Sequence, residues 1–361
     1  MTDEGRRSPL HDVQVAAGAE IIWEDGWPWT MKFGADAITE YEAIRSATGL
    51  WDLFSTVKYE VIGPDAERLI QRRFTNDLAG LGAGQVRYGA FVNADGLMAD
   101  DGNVYKHSDE KFWVMINTAE LEDWFRETAD GLDASIAGRT EQLPMISATG
   151  PTSRELVQGL TDFDLSSLGY FRFNPEPVQV AGVTTTVLRT GFSGELGFEL
   201  VTDAGSVVTL WEALIAAGGT PFGLEAIDLA RIEAGLIIIA LDYQPGETSP
   251  YDVSLDRFIK TGTECVGSNA LGAYGADPPK RLKTLSIQGD AAPEAGATVT
   301  KDGEDVGTVT SPGVSPRLGT IALAVLSSDV ATDGQKVDVG ESVATVAPLS
   351  LFDPEKKRPR V

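Results

Sequence analysis

The sequence predicts an α+β protein with mixed or antiparallel sheets, packed helices and a small C-terminal β domain. Three observations lead there. Strand alternation and helical spacing interleave through the first three quarters of the chain, without strict strand–helix alternation. After Ala270 the texture changes, and Gly272 to Lys280 reads as a Gly/Pro/Ala linker. Beyond it come only short β segments between turns, the pattern of a small barrel or sandwich. Two regions follow, 1–274 and 275–361, and 361 residues suffice for two or three subdomains.

In chain order, Val57, Tyr59 and Val61 alternate with Lys58 and Glu60, which predicts a half-buried strand closed by Gly63-Pro64. Asp65 to Arg73 reads as a short helix, with a carboxylate in its first turn and Arg72-Arg73 in its last. Val86 to Val92 is a strand, and Asn93-Ala-Asp-Gly96 supplies a turn. A strand pair near Asn103–Lys106 and Phe112–Asn117 precedes a helix from about Ala119, with Leu121, Trp124 and Phe125 on its apolar face. His107, beside Ser108 and Asp109, reads as part of a solvated turn. Thr184–Leu188 and Phe198–Val201 are strand-like. Ser206–Ala217 is a helix with Val207, Leu210, Trp211 and Leu214 on one face, ended by Gly218-Gly219. In the C-terminal region, strands are expected at Lys283–Gln288, Ala297–Thr300, Val306–Val309, Ile321–Val325 and Val343–Val346. Asp302-Gly303 is a hairpin turn between two of them.

Charge narrows the function. Asp and Glu total 54 against 29 Lys and Arg, a net charge of −25. A field of that sign repels nucleic acid and anionic membranes, so neither is an expected partner. It also suits a salty solvent, and halophily is the expectation to test. One cysteine, Cys265, and two histidines, His11 and His107, leave no zinc site of several thiolates and no His-rich metal centre. The opening Met1-Thr-Asp-Glu-Gly5 lacks a signal-like apolar stretch, and the run Gly235–Leu241 is too short to span a bilayer. A cytoplasmic protein is expected; oligomeric state is not legible.

No phosphate loop, dinucleotide fingerprint or nucleophile elbow is present, so carboxylates, amides and aromatics form the catalytic vocabulary. Asp100-Asp101 would point to opposite faces of a strand, so at most one enters a given pocket. By itself an Asp-Asp-Gly most often forms a solvated turn; in a pocket, one carboxylate would sit near an amine and relay its proton. In Arg189-Thr-Gly-Phe-Ser-Gly-Glu-Leu-Gly-Phe-Glu199, three glycines allow a backbone that approaches a flat ligand closely. Glu195 and Glu199 flank that loop, and a carboxylate suits the paired N–H donors of a 2-amino-pyrimidinone edge. An exposed hairpin with surface carboxylates is the plainer alternative.

These pieces stand in an order that resembles the glycine-cleavage T-protein (aminomethyltransferase) family. The set is Gly63-Pro64-Asp65, Thr75-Asn76-Asp77, Tyr88, Asn93 to Asp101, Gly150-Pro151, Arg189 to Glu199, Gly223-Leu224, Arg231-Ile-Glu-Ala-Gly235 and Val266 to Leu271. The run Thr310 to Leu323 is similar to that family's signature in its last domain. The resemblance implies three subdomains around a central folate channel, a small C-terminal barrel, and tetrahydrofolate as the only organic cofactor. It implies a transferase moving a one-carbon unit from a donor onto tetrahydrofolate. Asp101 takes the essential aspartate's place, Glu199 the pterin anchor's, and Tyr88 and Asn117 support the folate. Phe192, Glu195 and Arg231 complete the expected binding set, with Asp100 as an accessory and no metal.

Departures bear on the donor. Phe192 replaces a tyrosine, Asp52-Leu-Phe-Ser-Thr56 replaces Asp-Val-Ser-His-Met, and Ile227 replaces an arginine, which removes five donors and a charge. Ser249 to Arg257 looks more like branches that demethylate small molecules onto tetrahydrofolate. The donor is therefore a lipoyl-carrier aminomethyl group or an O-, S- or N-methylated small molecule. A second alternative is a non-catalytic folate binder, although the loop lacks the cysteine of the group that assists iron–sulfur assembly. The basic tail Lys356–Arg360, if near the channel mouth, would attract the polyglutamate tail of folate.

Overall fold

The computed structural model describes residues 5–24, 26–34 and 36–361; the opening Met1–Glu4, on which the leader reading rests in part, lies outside them. Val57–Ile62 forms as expected, with Val57, Tyr59 and Val61 packed on Phe74, Phe91 and Phe125. It belongs to a five-stranded antiparallel sheet ordered Gln85–Val92, Met98–Ser108, Lys111–Ile116, Val57–Ile62, Ser135–Gly138. The strand is not half-buried, however. Lys58 is also fully buried, because its ammonium donates to Leu53 O at 2.9 Å and Thr56 O at 2.7 Å.

A second, mixed sheet runs Val178–Val180, Val183–Leu188, Gly197–Val201, Met145–Thr149, Gly49–Asp52, Thr220–Pro221, with only the last pair parallel. Helix Val207–Ala216 buries Val207, Leu210, Trp211 and Leu214, the face that its 3.6-residue spacing predicts. Their partners are Ile146, Phe198 and Leu200 of this sheet. Between the two sheets lies a shared core that includes Tyr105, Met115, Phe173 and Leu188.

Helices Ala37–Ser46 and Leu224–Ala234 pack on each other around a buried ion cluster. Arg45 donates to Glu233 Oε2 from Nε at 2.9 Å and from Nη2 at 2.7 Å, and to the Ser193 and Ala230 carbonyls at 2.8 and 2.9 Å. Tyr41 donates to Glu233 Oε1 at 2.7 Å. Each polar atom taken out of water in this cluster thus regains a partner. The second helix stops at Gly235, whose φ of 64° is left-handed; a Cβ there would lie 2.1 Å from Leu349 O.

The C-terminal strands close a six-stranded barrel, joined Lys280–Ile287, Gly319–Ser327, Glu304–Ser315, Thr298–Lys301, Lys336–Val339, Ser342–Ala347. Asp302 and Gly303 turn the predicted hairpin with φ of 54° and 86°. Two expectations change. Lys336–Val339 is a sixth strand, too short to stand out by pattern, that exists because it pairs on both edges. Ser268–Tyr274 is helical, so the linker does not begin at Gly272; burial of Leu271 against Val92 and Met98 outweighs the poor propensity of its glycine.

Candidate functional site

A cavity of about 1790 Å³ opens between the two sheets, helix Leu224–Ala234 and the C-terminal segment. One wall follows from strand periodicity. Along Met98–Ser108 successive side chains alternate in direction, and Asp101, Asn103 and Tyr105 all line the cavity. Asp100 is fully buried and stays outside the lining, although the Tyr243 hydroxyl that donates to Asp101 also lies 3.4 Å from its Oδ1. Its carboxylate accepts from Asn117 N at 3.0 Å, Thr118 N at 2.8 Å and Asn117 Nδ2 at 2.8 Å, which fixes the turn carrying Asn117 on the cavity wall.

Asp101 is held from both sides. Tyr88 donates to Oδ2 at 2.7 Å and Tyr243 to Oδ1 at 2.6 Å. Burial, and then the charge of Asp100, push its carboxyl up to about 7, against the pull of the two tyrosine hydrogen bonds. Asp100 is raised by burial too, with its donors opposing. A carboxyl poised near neutrality can both hold and release a proton.

The opposite end is built on strand Gly197–Val201. Glu199 Oε2 accepts from Thr190 Oγ1, and Thr190 in turn meets the Tyr105 hydroxyl at 3.2 Å. Among the described residues Oε1 of Glu199 has no protein donor. Burial raises this carboxyl, while Thr190 and the nearby Lys58 favour its ionised form. Lys58 itself is pushed down to about 7 by burial, with Asp52 and Glu199 opposing. Phe192 presents its ring to the same cavity.

The structure therefore brings together Tyr88, Asp101, Asn117, Phe192 and Glu199. Two expected site residues lie elsewhere, as corrections. Glu195 is buried outside the lining, where it accepts from Arg45 at 3.3 Å and Arg358 at 2.8 Å. Those two arginines make it part of the ion cluster around Arg45. Arg231 is also fully buried and spends its donors on Asp228, Asp242, Leu236 O and Ser311, which bolts its helix to the barrel strand Glu304–Ser315. His107 corrects a third reading. It sits within strand Met98–Ser108 between Trp113 and Phe173, at 4.2 and 4.8 Å, and burial drives its imidazole down to about 4.

Sequence reasoning missed Tyr243, Asn103, Tyr105, Thr190 and Lys58. Period two counted from Asp101 would have found Asn103 and Tyr105. No local signal marks Tyr243, which arrives from 142 residues away. Of the basic tail, Lys356 and Arg360 line the cavity near Arg257, whereas Arg358 is tied to Glu195. No helix among the described residues is long and apolar enough to cross a membrane, and none of their acidic, His and Cys side chains groups into a metal site.

Residues 10–263 match the GCVT N-terminal domain family, and residues 280–353 match the glycine cleavage T-protein C-terminal barrel domain. A probable aminomethyltransferase of Haloarcula marismortui is 35% identical over 92% of this chain and 94% of its own length. The aminomethyltransferase of Thermotoga maritima is 31% identical over 95% and 93%. A crystal structure of glycine cleavage system aminomethyltransferase T from Bartonella henselae superposes with a TM-score of 0.87. That overlap spans 96% of this chain and 98% of the other at 23% identity, so it speaks for the fold.

Proposed function

The chain belongs to the glycine-cleavage T-protein family of tetrahydrofolate-using one-carbon transferases, and from that premise we propose that Asp101 and Glu199 divide the work of one cavity. The observation that carries this reading is their juxtaposition. Two buried carboxyls from different sheets face one space, one near neutrality and the other with an oxygen free of protein donors.

These residues fit the cofactor. The free oxygen of Glu199 and its Thr190-bound partner present a flat pair of acceptors, which suits the 2-amino-pyrimidinone edge of a pterin. Phe192 supplies an apolar face for stacking. Tetrahydrofolate brings a nucleophilic N5 that accepts the one-carbon unit. Asp101 would hold or take a proton at that nitrogen, oriented by Tyr88 and Tyr243 and kept near its switching pH by burial. Asp100 and Asn117 keep the adjoining wall in place. Enclosure of both reactants accounts for much of the acceleration.

The donor on this reading is an aminomethyl-type group. A second reading, demethylation of a small molecule, draws support from Ile227, buried among Tyr41, Ile44 and Phe222 where the resemblance places an arginine. Ser55 and Thr56, which stand in for a His-Met pair, line the cavity.

Calorimetric titration of tetrahydrofolate in high salt tests the proposal. Wild type is expected to bind, Glu199→Ala to weaken binding by about tenfold or more, and Asp101→Asn to bind within a few-fold while losing turnover. A wild type that does not bind would sink it. Single-turnover assays with an aminomethylated lipoyl carrier and with methylated amines, ethers and sulfonium compounds then separate the two donor readings.

A further inference from the structure

Lys58 is fully buried, and among the described residues its ammonium donates to main-chain carbonyls only, Leu53 O at 2.9 Å and Thr56 O at 2.7 Å. Folding alone explains such a cation poorly. Removing an ammonium from water is costly, and an apolar side chain of similar volume in place of a buried charge is often neutral or stabilising. The turn that it binds does not depend on it either. Thr56 N donates to Leu53 O at 3.2 Å, so the turn closes within the main chain.

The position of the charge is more telling. Lys58 stands directly across from Met115, which lines the cavity. The two carboxylates whose charges act on it, Asp52 and Glu199, both belong to the second sheet. Trp51, Ser147 and Glu199 form one row across three strands of that sheet, and Leu53, whose carbonyl receives the ammonium, follows Trp51 by two residues. Asp52 is already supplied with donors, from Ser8 at 2.6 Å, Gln14 at 2.7 Å and Phe54 N at 3.0 Å. Glu199 has Thr190 alone, and its side chain lines the cavity.

On the tetrahydrofolate reading, which this inference rests on, Glu199 must present two acceptor oxygens to the N–H edge of the ligand. A protonated carboxyl would set an O–H against those N–H donors. Binding also expels the water that would otherwise support the carboxylate, and a nearby buried cation acts more strongly once that water is gone. We infer that Lys58 is a positioning residue for the transfer reaction, acting through Glu199 as the buried counter-charge that keeps both of its oxygens acceptors. The two carbonyls of the turn fix where that charge sits.

A double-mutant cycle separates this role from simple support of the turn. Tetrahydrofolate affinity is measured by anaerobic calorimetry for wild type, Lys58→Met, Glu199→Gln and the double variant, with circular dichroism and thermal unfolding reporting the fold. The measurements are made at pH 6, below the value of about 7 to which burial pushes Lys58. Lys58→Gln, which keeps an N–H donor for the turn but no charge, gives the same comparison should methionine perturb folding. Lys58→Met is expected to weaken binding about tenfold while Glu199 is present, and by less than about twofold once Glu199→Gln has removed the carboxylate. An equal loss in both backgrounds would overturn the assignment and make Lys58 a structural residue, and so would no loss in either. A second readout needs no ligand. The infrared band of the protonated Glu199 carboxyl, identified by its absence in Glu199→Gln, should persist to higher pH in Lys58→Met than in wild type; an unmoved midpoint overturns the inference. A wild type that binds no tetrahydrofolate fails at the folate reading, and the infrared titration then decides on Lys58 by itself.

Discussion

Asp101 sits where a small change of environment moves a proton. It titrates near 7 in the folded protein and near 3.9 in an unfolded chain. Catalysis that needs the carboxylate should therefore rise with pH through a midpoint near 7 in kcat/KM. Tyr243 donates to Oδ1 and favours the charged form, so Tyr243→Phe should move that midpoint upward; an unmoved midpoint would deny Tyr243 its role. Stability follows the same proton with a definite sign. Because the folded pKa is raised, the stabilisation from this group is present in full below about pH 4 and is lost as pH rises through about 7. Asp101→Asn lacks that dependence. Its unfolding temperature should gain on wild type between pH 5 and pH 8, a comparison that differential scanning calorimetry makes directly.

At the scale of elements, the cavity depends on how helix Leu224–Ala234 is held. Arg45 ties it to helix Ala37–Ser46 and, through Ser193 O, to the glycine loop beside Phe192 and Glu199. Arg45→Leu would leave Glu233 as a buried charge without its cation. A loss of about 3–5 kcal/mol is expected, several degrees or more in unfolding temperature, with the pH midpoint of activity unmoved. The C-terminal end of the same helix requires glycine. Gly235→Ala would add left-handed strain and drive a Cβ into Leu349 O, so it should lower both the unfolding temperature and tetrahydrofolate affinity. Wild-type affinity in that variant would show that the helix end and the C-terminal segment do not shape the site.

For the whole molecule, 25 uncompensated negative charges repel one another across the surface. Screening shortens their reach from about 10 Å at 0.1 M salt to about 3 Å at 1 M. The unfolding temperature should accordingly climb as KCl rises from 0.1 to 2 M. A flat response would show that the acidity is not an adaptation to salt. The internal clusters, Arg45 with Glu233 and Arg231 with Asp242, are fully buried and should take little part in that response.

Local order was legible from the sequence because it is written in local periods. Alternation fixes Val57–Ile62 on its core, helical spacing fixes Val207–Ala216, and Asp302-Gly303 can turn only one kind of hairpin. That only one of Asp100 and Asp101 lines the cavity was likewise legible from their adjacency on a strand. Tertiary structure decided the rest. Whether a charged side chain lines a cavity or bolts two elements together depends on neighbours remote in the chain. Glu195 meets Arg358 and Arg231 meets Ser311 for that reason, although both sit in motifs as suggestive as that of Glu199. Tyr243 reaches Asp101, and Lys58 finds two carbonyls in place of water, only once the sheets have closed. A sequence specifies which groups are available; desolvation, which sets their pKa values and their partners, comes into being only with the packed fold.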